Sequence, residues 1–466
     1  MTMNVLHKTK TTALLKGVMS AAASLMVLAA CTDSYPTLIH NDGSTIGNDE
    51  VYDRVPLMMF VNEQDYFSII ATRGTGVFDD EHAGKLANSL FYVYAFRAAE
   101  DADGNIVHNT DYRETSSGGT ASDQDRLTAA DCLLDGADYN FGMPTKLTAD
   151  RNGTLEPQTT QKLYFSSAFQ DVGYDFFVYH IDDFEPTAAN THREADRIYY
   201  DLEIDGSQDI MSGMAPKLTR DVLDEKIRDG KLTITKSDQE QILDIGNYCT
   251  FAAHRGVYPV MAMKHRLTRM QFLAYPGDES ADNVVIKGIS VESRYRGRLT
   301  VAARNTDETG IEFDSDRREL ELREASPDGV SPCPPLSSDG YVVSYDGSMA
   351  SLPWDERPGL KIGESLMLAP DSEYALTLYY TQTVDVGGGK TEQRDLKSRY
   401  LLKAQETSYF KDPETGAYIF RPGYVYSVKI VVYGLQEIKV SANIEGWEYG
   451  GDIVLDPMED DGVLLE

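Results

Sequence analysis

The chain carries several residue groups whose types suggest chemistry, and most of them lack the spacing that chemistry requires. Past residue 31 the histidines fall at positions 40, 82, 108, 180, 192, 254 and 265, never with the spacing that sets two imidazoles on one helical face to hold a metal. His180 continues an aromatic run and reads as a satisfied core or edge residue. Asp182 and Asp183 are adjacent acids at a strand end, but glycoside hydrolysis needs a second carboxylate at a set distance, and none is marked. Cys249 and His254 could form a thiol pair, yet neither an activating partner nor a nucleophile turn accompanies them, and no G-x-S-x-G occurs. Gly387-Gly388-Gly389-Lys390-Thr391 resembles the end of a phosphate loop, but Val384 stands where that loop needs a glycine, and the flanks read as strands, so a hairpin turn is expected. Asp101, Asp103 and Asn105 have the odd-position spacing of a calcium loop, with Gly104 and Glu114 misplaced for one. The chain therefore reads as a non-enzyme that needs no metal and no cofactor.

Two other positions stand out by the pattern around them. The first 30 residues hold no acid, place Lys8, Lys10 and Lys16 ahead of an apolar run from Val18 to Leu28, and end Leu28-Ala29-Ala30 before Cys31. The apolar run is well short of the ~20 residues a bilayer core needs, so the segment is an export signal. Small residues ending in cysteine resemble a bacterial lipobox, in which the Cys31 thiol takes lipid and Cys31 becomes the mature N-terminus. The second position is Arg73, where the β-prone run Tyr66 to Ala71 ends and Gly74-Thr75-Gly76 follows. A β-prone strand therefore stops at a basic residue and an accessible glycine-containing tripeptide.

The elements that position these residues are mostly strands. Leu90 to Phe96 is apolar on both faces, as a central strand covered on both sides requires. Strands are expected at Leu57 to Val61, Tyr66 to Ala71, Lys162 to Ser166, Tyr174 to Ile181 and Arg197 to Ile204, with a long polar loop from Glu100 to about Gln161. From Lys217 to about Phe251 the period shifts toward 3.6, with Thr219 as a helix cap and Ser237 and Glu240 as a capping box. The β pattern then resumes, most clearly at Thr268 to Tyr275, Val284 to Ser293, Leu299 to Ala303, Glu319 to Leu322, Tyr374 to Thr381, Tyr424 to Tyr433, Glu437 to Ile444 and Asp452 to Leu455. Short strands with frequent turns argue for β-sandwiches. The expected organisation is a signal over 1–30, a lipidated tether and cleavable first strand over 31–73, a β-sandwich over 74–216, a helical insert over 217–256 and a second β-sandwich over 257–466.

Composition narrows the partners. The 466 residues carry −32, and removing the signal with its three lysines leaves 436 residues at −35. Such a surface repels phosphate backbones and anionic lipid, which argues against nucleic acid and polybasic membrane docking. With Cys31 assigned to lipid, Cys132, Cys249 and Cys333 allow at most one disulfide, so the fold stands on its apolar cores.

In their order along the chain, several segments resemble the fimbrillin family, the subunits of type V pili in Bacteroidetes. They are the lipobox ending at Cys31, the run Ile69-Ile70-Ala71-Thr72-Arg73 before Gly74-Thr75-Gly76-Val77-Phe78, the strand Leu90 to Phe96, the motif His265-Arg266-Leu267-Thr268-Arg269-Met270-Gln271-Phe272, and the ending from Tyr426 to Asp456 with Trp447. The resemblance implies two transthyretin-like β-sandwiches, a lipoprotein precursor held at the outer membrane, and a cut by an arginine-specific surface protease. It further implies that Arg73 and Gly74 flank the cut (alternatively Arg54 and Val55) and that Phe67, Ile69 and Ala71 fill a groove before cleavage. A donor strand carrying Ile438, Val440, Ile453 and Leu455 would then fill the groove of another pilus subunit, supporting adhesion at the cell surface. The alternative is an outer-membrane-anchored glycan-binding lipoprotein, which would keep its lipid and expose an aromatic platform.

Overall fold

The computed structural model describes residues 59–61, 90–97, 99–100, 106–107, 141–147, 155–158, 173–187, 189–194, 197–215, 221, 224, 228, 250–251, 259–303, 309–327, 331–433 and 439–444. The described chain is mainly β, and all of it belongs to one compact unit that begins at Val55.

The first pair of sheets is built around Leu90–Arg97. A broad sheet runs Phe60–Val61, Val260–His265, Ile210–Met214, Gly173–Ile181, Leu90–Arg97, Met143–Leu147 and Leu155–Pro157, with Thr250–Phe251 added beside Gly173–Ile181. Phe91, Val93, Tyr94 and Ala95 are all fully buried, so this strand is covered on both faces as its sequence requires. A cover sheet of Gly310–Phe313, Arg296–Ala303, Arg197–Glu203 and Thr191–Arg193 packs over it. Tyr94, Tyr179 and Tyr200 join the two layers: the Tyr179 hydroxyl lies 2.8 Å from that of Tyr200, which lies 3.3 Å from that of Tyr94.

The second pair consists of a front sheet, Leu360–Leu368, Thr268–Pro276, Val425–Val432 and Lys439–Ile444, and a back sheet, Arg317–Glu321, Val284–Arg294, Glu373–Gly387 and Lys390–Lys403. Met270, Phe272 and Ala274 of the front sheet share one core with Ile286, Ile289 and Val291 and with Tyr374, Leu376 and Leu378 of the back sheet. Strands from either side of 217–256 share sheets: Arg197–Glu203 pairs with Arg296–Ala303, and Ile210–Met214 with Val260–His265. Within 217–256, Asp221, Asp224 and Arg228 are helical.

The structure departs from the sequence expectation in three places. The polar stretch from Glu100 to Gln161 contains the strands Met143–Leu147 and Leu155–Pro157; Pro144 and Pro157 mask them, because proline argues against a strand. Leu360–Leu368 closes one edge of the front sheet, although its first half reads as loop. Lys390–Lys403 forms a 14-residue strand whose first eight residues are all exposed, so it shows no apolar alternation. Its pairing is imposed by the turn at Gly387, Gly388 and Gly389, whose φ values of 90°, 69° and 74° favour glycine and confirm the hairpin.

Candidate functional site

A first candidate geometry lies where the broad sheet ends. Phe60–Val61 pairs in parallel with Val260 and Met261, a ladder of two residues at one end of the sheet. Immediately before it, the Met59 side chain is buried and the Met59 carbonyl accepts the Leu155 N–H at 3.0 Å. Leu155 belongs to the strand at the other end of the same sheet. Met59–Val61 is therefore a seam that satisfies backbone groups at both ends of the broad sheet. At the far end of the chain, Lys439–Ile444 is the edge strand of the front sheet, with Val440 opposite Ile430. Ile438, Ile453 and Leu455 lie outside the described residues, as do Cys31, Arg54, Val55, Phe67, Ile69, Ala71, Arg73, Gly74, Cys132 and Cys249. Cys333 is buried, and its carbonyl accepts from Arg323 at 3.2 Å.

Between the two sheet pairs the chain crosses at Arg266 and Leu267, and the polar residues of the His265–Phe272 motif each reach far along the sequence. His265 Nδ1 lies 2.7 Å from Asp209 Oδ2. Arg266 Nε donates to the Ser212 hydroxyl at 2.7 Å, and burial lowers this guanidinium's pKa to about 10 against the opposing pull of Glu414. The Thr268 hydroxyl sits 2.8 and 3.1 Å from the Phe420 and Arg421 carbonyls. Arg269 donates to Ser365 and Glu364, and Gln271 donates to Ser427 at 2.5 Å. His265 and Arg266 thus anchor the crossing to the first sheet pair, while Thr268, Arg269 and Gln271 anchor the strand that follows within the second.

His180 and Asp182 are used structurally, whereas Cys249, His254, Asp101, Asp103 and Asn105 lie outside the described residues. His180 is buried between the Leu90 carbonyl at 2.8 Å and Asp182 Oδ1 at 3.1 Å. Asp182 accepts the Asp209 N–H through its other oxygen, whereas Asp183 sits exposed on the following turn with φ 56°. The two carboxylates thus have separate surroundings. A concave patch on the cover sheet, lined by Asp201, Arg296, Arg298 and Glu312, holds interlocked charges. The Tyr199 ring there is overlain by His192 and Arg298, with centroid distances of 4.8 and 4.1 Å, and so offers no bare aromatic platform.

No family model matches the chain, and no curated protein is a significant match. The chain overlays on solved fimbrial proteins. A fimbrial protein from Bacteroides vulgatus aligns over 84% of this chain and 99% of its own, at 12% identity and a TM-score of 0.39. The tip fimbrial protein Mfa3 from Porphyromonas gingivalis aligns over 84% and 100%, at 12% identity and a TM-score of 0.27. The fimbrial anchor protein Mfa2 from the same organism aligns over 85% and 100%, at 9% identity and a TM-score of 0.21. Overlays this loose carry no argument about function.

Proposed function

We propose that the chain is a structural subunit of a cell-surface pilus, exported as a lipoprotein through Cys31, activated by a cut between Arg73 and Gly74, and polymerised by donor-strand exchange. The observation that carries the reading is the seam at Met59–Val61, which lies between Cys31 and Arg73 and so belongs to the part that cleavage detaches. Losing it uncovers backbone donors and acceptors at both ends of the broad sheet together with the pocket of Met59, whose burial is worth about 1.5–3 kcal/mol. Phe67, Ile69 and Ala71 leave with it. A strand from another subunit would regain both the ladder and the apolar contact. The donor comes from the chain's end, where Lys439–Ile444 is held by one neighbouring strand and leads to Ile453 and Leu455. In this reading the partners are other pilus subunits, an arginine-specific protease and, before the cut, the outer membrane.

The N-terminal residue of the protein recovered from cells tests the proposal. Gly74 is the expected result. Val55 would keep the seam in place, and Cys31 in polymerised material would leave the subunit uncut; either overturns the activation step. Normal pili from cells carrying Arg73→Ala would overturn it as well.

A further inference from the structure

The surroundings of His180 constrain its protonation. The backbone ladder between Leu90–Arg97 and Gly173–Ile181 stops at Tyr92–Tyr179, and beyond that point the His180 side chain takes over by bonding the Leu90 carbonyl. A carbonyl can only accept, so Nδ1 carries a proton. Nε2 faces Asp182 Oδ1 at 3.1 Å, and Asp182 Oδ2 already accepts the Asp209 N–H at 3.1 Å. Without a proton on Nε2, two lone pairs would face each other inside the protein. An imidazole is more basic than a carboxylate by about 2.6 pH units, so the proton in that contact stays on the ring.

We propose that His180 is held as a buried imidazolium and acts as a proton-operated latch, joining the start of the Leu90–Arg97 strand to the turn that carries Asp209. The charged groups around it balance the assignment. Asp182 and Asp209 supply two carboxylates, His265 bonds Asp209, and Arg269 acts on Asp209 while bonded to Glu364. The Phe91 ring, 5.0 Å from the imidazole centroid, closes the side toward Leu90. Burial alone pushes the imidazole down, but the Asp182 contact, the Leu90 carbonyl and the charge of Asp209 together outweigh it and raise its pKa. The sign follows: a raised folded pKa contributes stability that is complete below the unfolded value near 6.5 and is lost as pH rises through the folded value. Deprotonation then loosens the latch, and acidification sets it.

Nitrogen-15 NMR of the histidine rings in the full chain tests this, with His180 assigned by the signal lost in His180→Gln. Both ring nitrogens protonated at pH 6.5, with a titration midpoint above that of a histidine peptide, is the expected result. A single protonated nitrogen at pH 6.5 overturns the proposal, and if His180→Gln does not fold, through-bond assignment in the wild-type chain identifies the ring instead. For the latch itself, the Asp209 amide, corrected for intrinsic exchange, should lose hydrogen-exchange protection between pH 6 and pH 8.5 in the wild type. Unchanged protection across that range overturns the latch.

Discussion

Arg269 Nη2 and Glu364 Oε1 meet at 3.2 Å between neighbouring strands of the front sheet, with both side chains almost wholly removed from water. Burial pulls the guanidinium pKa down, and the Glu364 charge opposes it. Lys361 Nζ donates to the other Glu364 oxygen at 2.9 Å. Breaking a buried pair costs more than replacing it whole, because a charge stays behind in a dry interior. Glu364→Gln is therefore expected to lose about 3–5 kcal/mol in denaturant unfolding. Arg269→Met should lose less, because Lys361 still neutralises Glu364. The double variant Arg269→Met/Glu364→Leu should recover much of the loss.

Gly213 makes a second test. A Cβ placed there would lie 2.0 Å from the Ala262 carbonyl oxygen, a backbone atom of the strand it pairs with. Gly213→Ala must push Ile210–Met214 and Val260–His265 apart, at a cost of at least about 1–3 kcal/mol. Gly347, whose added Cβ would meet nothing within 4 Å, is the control, and Gly347→Ala should leave the unfolding midpoint in place.

Tyr341 links stability to high pH. Burial, then the hydrogen bond to Glu324, raises its pKa to about 12. In the unfolded chain the phenol ionises near 10, so its contribution is complete below pH 10 and fades between there and about 12. Absorbance titration of the phenolates in Tyr341→Phe should show the loss of one group ionising near 12. Glu324→Gln should move that group back toward 10.

The double cover of Phe91 to Phe96 was legible because burial on both faces of a strand leaves an unbroken apolar run, though Leu90 at its start is exposed, and His180 was legible as a satisfied residue because it continues one. The hairpin at Gly387, Gly388 and Gly389 was legible because the segments on either side of it read as strands. Lys390–Lys403 was legible only as a flank of that turn, and its 14-residue length was not, since an exposed edge strand is shaped by its partner and by its turn rather than by its own pattern. Nor could spacing show what His265, Thr268 and Arg269 do: their partners Asp209, Phe420 and Glu364 are distant in sequence and become neighbours only through sheet pairing. The seam at Met59 was hidden for the same reason, because its bond to Leu155 joins opposite ends of one sheet.

Thr268–Pro276 and Val425–Val432 run parallel through eight residue pairs, from Arg269–Val425 to Pro276–Val432. When the chain is pulled by its upstream and downstream ends, the first strand is drawn from its start and the second from its finish. The two then slide lengthwise against each other, and the rungs between them share the load together instead of parting one after another. Force spectroscopy should accordingly find the front sheet stiff and abrupt in failure, whereas the Glu373–Gly387 and Lys390–Lys403 hairpin, loaded from its open end, should unzip gradually at lower force. In a fibre of such subunits, strand direction would set how much tension each one bears.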